Sequence, residues 1–347
     1  MFLLLCELVL FRFVLPGSDV PRNAFIDGVV RYAPSQNGTW RVRNDIAAPY
    51  AINAQGWNSG SGDYKVERTP GVMRIAIVGD SYVEALQVRH GRSLGELMAQ
   101  QLSAKVGRPV EVYRFGIGGA PLSQYLHMAE REVARYRPDW IVVLVVNNDF
   151  NESFDFVQGR YTSSFLKLKL EDAQVVGEIQ PTPWAPTSAD WVRHTAMARF
   201  IYYRWQVRPE RVRDLFLASA RAEGDSPPSR STTLKRQNVE IATEYMVRRL
   251  SDVGKSIDAR LLLATDGDRA AIYEGRGDRT PPLNRLVADK ARRTGVAYLD
   301  LHPHFLTDWN RHSLPFDFDS DYHWNERGHA VSARAVADAI VQAARQN

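Results

Sequence analysis

Two short stretches of the chain hold residue types that could perform nucleophilic chemistry, Gly79-Asp80-Ser81 and Asp321-Tyr322-His323. A serine hydroxyl is a weak nucleophile at its own pKa and needs a base beside it, and an imidazole is the side chain that can take its proton near neutral pH. Asp321, two residues before His323, is spaced to orient that ring. With donors for the oxyanion, these groups would suffice for acyl transfer through a serine ester. Each piece alone has a plainer reading: Gly-Asp-Ser is also good turn chemistry, and His323 could stand on a surface loop.

The elements that must position them are legible as an α/β pattern. Ile75 to Val78 is an apolar run without alternation, as in a central parallel strand covered on both faces, and Gly79 lets the chain turn so that Ser81 stands at the strand's carboxyl end. Open α/β sheets bind their ligands along that edge. Ser93-Leu94-Gly95-Glu96 has the spacing of a capping box, and Leu94, Leu97, Met98 and Leu102 follow on one helical stripe. Val110 to Phe115 reads as a second strand and Gly116 to Gly119 as a turn, with an amphipathic helix behind Pro121. Ile141 to Val146 reads as a third strand, running into Asn147-Asn148-Asp149. Three strand-turn-helix units in succession predict a parallel, doubly wound sheet.

That rhythm pauses from Phe150 to about Thr233. This insert is expected to hold a hairpin over Tyr161 to Val176, a Pro and Trp-rich loop from Pro181 to Trp191, an arginine-bearing helix and the polar tract Glu223 to Thr232. The pattern resumes with a helix near Lys235 to Asp252, a strand at Arg260 to Thr265, a helix near Pro282 to Arg293, a strand at Val296 to Leu301 and a last helix from about Asn325 to Ala344. On this topology Ser81, Gly119, Asn148 and the segment Asp317 to His323 gather at one sheet edge.

Composition narrows the function classes. The 347 residues carry 44 Lys plus Arg against 40 Asp plus Glu, a net charge of +4 spread along the chain, which does not argue for nucleic acid. The densest basic stretch, Arg199 to Arg213, reads as a solvated helix face. Cys6 is the only cysteine, so no internal disulfide or cysteine-rich metal site can form. Asp300 with His302-Pro303-His304 reads as a structural loop rather than a metal site, and Asp266-Gly267-Asp268 as a turn rather than a calcium loop. Met1 to Pro16 is apolar but broken by Glu7 and Arg12, and it is shorter than the roughly 20 residues of a spanning helix. It is either the tail of a membrane anchor, which would place the body in the periplasm or otherwise outside the cytoplasm, or an amphipathic helix packed on a body that could then be cytoplasmic. Asp19 to Pro70 reads as irregular structure with short strands.

The set of motifs resembles the SGNH (GDSL-like) hydrolase superfamily: Gly79-Asp80-Ser81-Tyr82, Gly119, Asn148-Asp149 and Asp321-Tyr322-His323-Trp324-Asn325 occur in the order of its four blocks. The resemblance covers about Met73 to Asn347 without the insert. It implies a flavodoxin-like three-layer sandwich of about five parallel strands and no metal or organic cofactor. It also implies Ser81 as nucleophile, His323 as base, and an oxyanion hole of the Ser81 and Gly119 N-H groups with the Asn148 amide. Two departures stand out. The familiar final block places its acid three residues before the histidine, where this chain has Ser320, so the acid is taken as Asp321, with Asp319 or Asp317 as alternatives. Ala85 stands where many members have glycine, a change expected to matter little.

The Asp-x-His-Trp-Asn form is similar to that of bacterial exported or membrane-linked members, including relatives of polysaccharide O-acetyltransferases. Asp80 and Asp149 are expected to hold loops by accepting backbone hydrogen bonds. The expected organisation is an anchor-like segment at 1–16, an extension at 17–72 and a hydrolase domain at 73–347 with the insert at about 150–233. The expected activity is hydrolysis of short acyl, above all O-acetyl, esters of a carbohydrate or other small molecule. A sugar hydroxyl replacing water would make the same residues an O-acyltransferase, and the remaining alternative is an idle glycan-binding module. Trp184, Trp191 and Tyr202 of the insert are candidates for a sugar-binding wall.

Overall fold

The computed structural model describes residues 2–146, 149–154, 162–185, 188–206 and 230–345. The chain first forms two antiparallel hairpins, β1 (Asn23–Ile26) with β2 (Val29–Tyr32) and β3 (Gln36–Val42) with β4 (Ile46–Ile52). This extension is more regular than the sequence suggests. Ile46, Ala48, Tyr50 and Ile52 are all buried, a two-residue period that Pro49 and the small alanines conceal.

The central sheet consists of β5 (Met73–Gly79), β6 (Val110–Gly116), β7 (Trp140–Val145) and, beyond an inserted hairpin of β8 (Lys167–Glu171) and β9 (Gln174–Ile179), β10 (Arg260–Thr265) and β11 (Ala297–Asp300). Its order is β11-β10-β7-β5-β6 and every pair is parallel. Counted within the sheet this is 2-1-3-4-5, the flavodoxin-like order, whose ligand crevice opens beyond the carboxyl ends of the first and third strands, here β5 and β7. Both strands are buried along their whole length, as an uninterrupted apolar run requires of a strand covered on two sides.

Each face has its own apolar layer. Leu94, Met98 and Leu102 of helix Leu94–Val106 pack with Val336 and Ile340 of helix Glu326–Arg345, and with Phe305 and Trp324. On the opposite face Leu126 and Val133 pack with Met246 and Leu250 of helix Arg230–Ser256 and with Val287 of helix Pro282–Thr294. Burial of such side chains at about 1.5–3 kcal/mol each makes this two-sided clamp the main constraint on where the strand ends lie.

Several local expectations are corrected. His302-Pro303-His304 is the first turn of helix His302–His312 rather than a loop. Proline is tolerated there because that N-H has no partner within the helix. The Asp266-Gly267-Asp268 turn ends in a helix cap, with Asp268 accepting the Ala271 N-H at 3.0 Å before helix Arg269–Tyr273. Ser93 does precede a helix, but its hydroxyl bonds the Glu96 carboxylate itself, so the reciprocal capping box does not form. Glu96 is drawn instead to the Gly60 N-H at 3.1 Å and to Arg114 at 3.2 Å. In the insert the hairpin spans Lys167 to Ile179, later than Tyr161 to Val176, and Tyr161 itself lies outside the described residues, as does most of the tract Glu223 to Thr232.

The apolar N-terminus is helical over Phe2–Leu5 and Cys6–Val14 and lies against the body. Glu7 accepts the Ala196 and Met197 N-H groups at 2.6 and 3.0 Å, and the Phe11 and Phe200 rings meet with centroids 5.2 Å apart. Among the described residues no helix is long and apolar enough to cross a membrane.

Candidate active site

The turn that carries Ser81 is made by close backbone contact. Asp80 caps helix Ser81–Glu84 by accepting the Tyr82 N-H at 3.0 Å, which leaves Ser81 at the first helical position, where an N-H has no partner within the helix. The neighbouring strand end abuts this turn, since a Cβ on Gly116 would stand 2.2 Å from the Glu84 backbone nitrogen. Only glycine permits that approach. Ala85 ends the helix in the left-handed region at φ +53°, so the substitution expected to matter little sits on a strained backbone position.

His323 stands on a second small hairpin, β12 (Asp317–Phe318) with β13 (Asp321–Trp324). The His323 N-H donates to Asp321 Oδ1 at 3.0 Å, and the ring Nδ1-H donates to the same oxygen. That fixes the tautomer with Nε2 unprotonated, and Nε2 accepts the Ser81 hydroxyl at 2.7 Å. The His323 and Asp321 side chains are only 13% and 12% exposed, so the pair is shielded yet reachable.

Of the alternative acids, Asp317 is turned away to Arg269 at 2.5 Å and to the Tyr273 hydroxyl at 2.8 Å. Ser320, at the familiar acid position, has its hydroxyl and N-H on Asp45 at 2.5 and 3.0 Å, tying the hairpin to the N-terminal extension. The Ser81 and Gly119 N-H groups have no protein partner among the described residues, and Gly119 has a φ of +73°. Asn148 lies outside the described residues.

The model of the GDSL-like lipase/acylhydrolase family matches residues 77–331. The chain belongs to this family. The GDSL-like chain is therefore a serine hydrolase. No curated protein matches it. Among solved structures it is similar to an alpha/beta hydrolase from the metagenome of Lake Arreo, Spain, at 15% identity and a TM-score of 0.43, over 77% of this chain and 94% of the other. An acetylxylan esterase from Geobacillus stearothermophilus is similar at 15% identity and a TM-score of 0.42, over the same shares of the two chains.

Two residues of the hydrolase site escaped the sequence reading. Glu84 is fully enclosed. It accepts the Gly118 N-H at 3.0 Å and the Tyr32 hydroxyl, thereby linking the nucleophile helix, the glycine turn before Gly119 and the N-terminal extension. Burial raises its carboxyl to about 7, partly offset by these two donors. Its one sequence signal was a carboxylate inside the otherwise apolar run Tyr82 to Leu86. Arg269 reaches across the cleft mouth to Asp266 and Asp317, to the Tyr82 hydroxyl at 2.8 Å and to the Tyr322 carbonyl at 2.9 Å. Nothing in its sequence neighbourhood distinguishes it from the other arginines.

Asp80 and Asp149 accept backbone N-H groups from Tyr82 and Val146, at 3.0 and 2.7 Å. Asp149 also accepts the Tyr125 hydroxyl at 2.8 Å. Burial pushes Asp80 up to about 6 and Asp149 well above the usual carboxylate range, with the Asp80 charge adding to the rise of Asp149. Asp80 Oδ2 is also 3.3 Å from Ser81 Oγ, a weaker acceptor position than His323 Nε2. Among the described residues no group of three or more His, Cys, Asp or Glu side chains could hold a metal ion.

Proposed function

We propose that this hydrolase cleaves short acyl esters, in particular O-acetyl groups carried on a carbohydrate, through an acyl-enzyme on Ser81. The observation that carries the reading is the continuous chain from Ser81 Oγ to His323 Nε2, at 2.7 Å, and from His323 Nδ1 to Asp321. His323 takes the Ser81 proton as Oγ attacks the acyl carbonyl. The oxyanion then meets the Ser81 and Gly119 N-H groups, with the Asn148 amide as third donor. Collapse breaks the ester bond, and His323 returns its proton to the departing alcohol. Water, deprotonated by His323, attacks the acyl-serine; the bond from the acyl carbon to Ser81 Oγ then breaks, His323 returns the proton to Oγ, and the carboxylic acid leaves. Asp321 holds the ring and offsets the imidazolium charge throughout. A carbohydrate alcohol is supported by Tyr322, 68% exposed and stacked on His323 at 4.6 Å, which offers a sugar ring an aromatic face beside the reacting atoms.

The test is turnover of a short-chain aryl acetate by the full chain and by Ser81→Ala, with the acyl-enzyme sought by intact mass. The expected loss in kcat is about 10⁴-fold or more. Retained turnover in Ser81→Ala would overturn the assignment of the nucleophile. Faster acetyl release when oligosaccharide is added, with acetylated sugar as product, would replace hydrolysis by transfer.

A further inference from the structure

Exposed apolar side chains are concentrated in one part of the molecule. Of the seventeen large ones among the described residues, twelve belong to the N-terminal helical segment or to the insert's short helices. The first group is Leu4, Leu5, Leu8, Val9, Phe13, Val14 and Leu15; the second is Trp191, Val192, Met197, Tyr202 and Trp205. The two groups form one packed unit. Glu7 caps the first turn of helix Ala196–Arg199, and Phe11, Phe200 and Trp205 follow one another at centroid distances of 5.2 and 5.6 Å. A monomer rarely leaves so many apolar side chains in water without a partner for them.

The charges in this unit identify the partner. Arg12 and Arg193 are 50% and 63% exposed, whereas the acids nearest them, Glu7 and Asp190, are recessed to 25% and 10%. The surface therefore combines leucines, phenylalanine and two tryptophans with outward arginines, the composition of segments that lie in a lipid interface. A second copy of the chain would set the same apolar residues and the same outward arginines against each other.

We propose that the N-terminal helix and the insert helices around Trp191 and Trp205 form a single docking face that lies on an anionic lipid bilayer. The N-terminal segment thus acts by lying in the interface together with the insert. The active-site residues take no part in this face, so the inference stands apart from the catalytic reading.

The full chain would be sedimented with vesicles of phosphatidylcholine alone and of phosphatidylcholine with phosphatidylglycerol. Binding is expected on the anionic vesicles, weakened by salt, and reduced by roughly tenfold or more in Phe13→Ser/Trp191→Ser and in Arg12→Glu/Arg193→Glu. Val176→Ser and Leu314→Ser, at positions 50% and 52% exposed elsewhere on the surface, should bind as the parent does. Circular dichroism and unfolding midpoints establish that each variant is folded. A chain that stays in the supernatant with both vesicles would overturn the proposal, as would face variants that bind like the parent. A stable dimer lost in Phe13→Ser/Trp191→Ser would assign the face to a second copy instead.

Discussion

Ser81 stands at the end of β5, a strand buried over its whole length, whereas His323 stands on a four-residue strand of which only Trp324 is buried. The Ser81 side is set by backbone: a parallel strand, a glycine contact and aspartates that accept N-H groups. On the His323 side the fixing groups are side chains, namely Asp321 on the ring, Arg269 across Asp266 and Asp317, and Asp45 on Ser320. The difference follows from chain order. A strand inside a sheet inherits its position from the sheet, while a segment between two helices near the end of the chain must be tied down by specific polar contacts.

The largest effect expected from breaking this asymmetry is at Arg269. Its side chain and that of Asp266 are each 10% exposed, so Arg269→Ala strands a buried carboxylate and should cost about 3–5 kcal/mol in urea unfolding. Because the Tyr322 carbonyl also loses the nearer of its two donors and keeps only the Tyr82 hydroxyl at 3.2 Å, ester turnover should fall while the Ser81 turn stays intact. Arg269→Lys, which keeps the charge but not the fork, should recover stability more than activity. An Arg269→Ala chain as stable and as active as the parent would show that the hairpin needs no such tie.

The Ser81 side should respond to pH instead. Glu84 rises from 4.5 unfolded to about 7 folded, so the folded state holds its proton more tightly. Its contribution is present below about 4.5 and is lost as pH rises to about 7, a change of up to roughly 3 kcal/mol. Glu84→Gln keeps acceptors for Gly118 and Tyr32 but cannot ionise. Chemical denaturation between pH 4.5 and 7 should therefore show the parent losing stability relative to Glu84→Gln, since the other raised carboxyls (Asp80, Glu132, Asp149, Asp266) and the lowered histidines such as His329 titrate alike in both chains. An unchanged slope would remove Glu84 from this role.

The smallest effect is at Ala85. Its φ of +53° costs an L-residue more than glycine, and Ala85→Gly should raise stability by about 1 kcal/mol after the entropy of the added glycine is counted. A higher unfolding midpoint with unaltered turnover would show that the strain is incidental; lost turnover would tie it to the nucleophile's position.

The sequence by itself determined the sheet and the family. Apolar runs such as Ile75 to Val78 and Ile141 to Val145 are local signals, since burial on both faces excludes polar residues, and the polar residues that follow mark the strand ends. The contact of Asp321 with His323 was likewise readable, because it is made within one strand. Helix His302–His312 was hidden by Pro303, whose place in a first turn depends on where the helix begins. Only the tertiary structure decided the contacts between residues far apart in the chain: Glu84 with Tyr32, Ser320 with Asp45, Arg269 with Tyr82, and the N-terminal helix with the insert. Such pairs leave no period or spacing in a sequence, because each is set by how the sheet and its covering helices bring distant segments together.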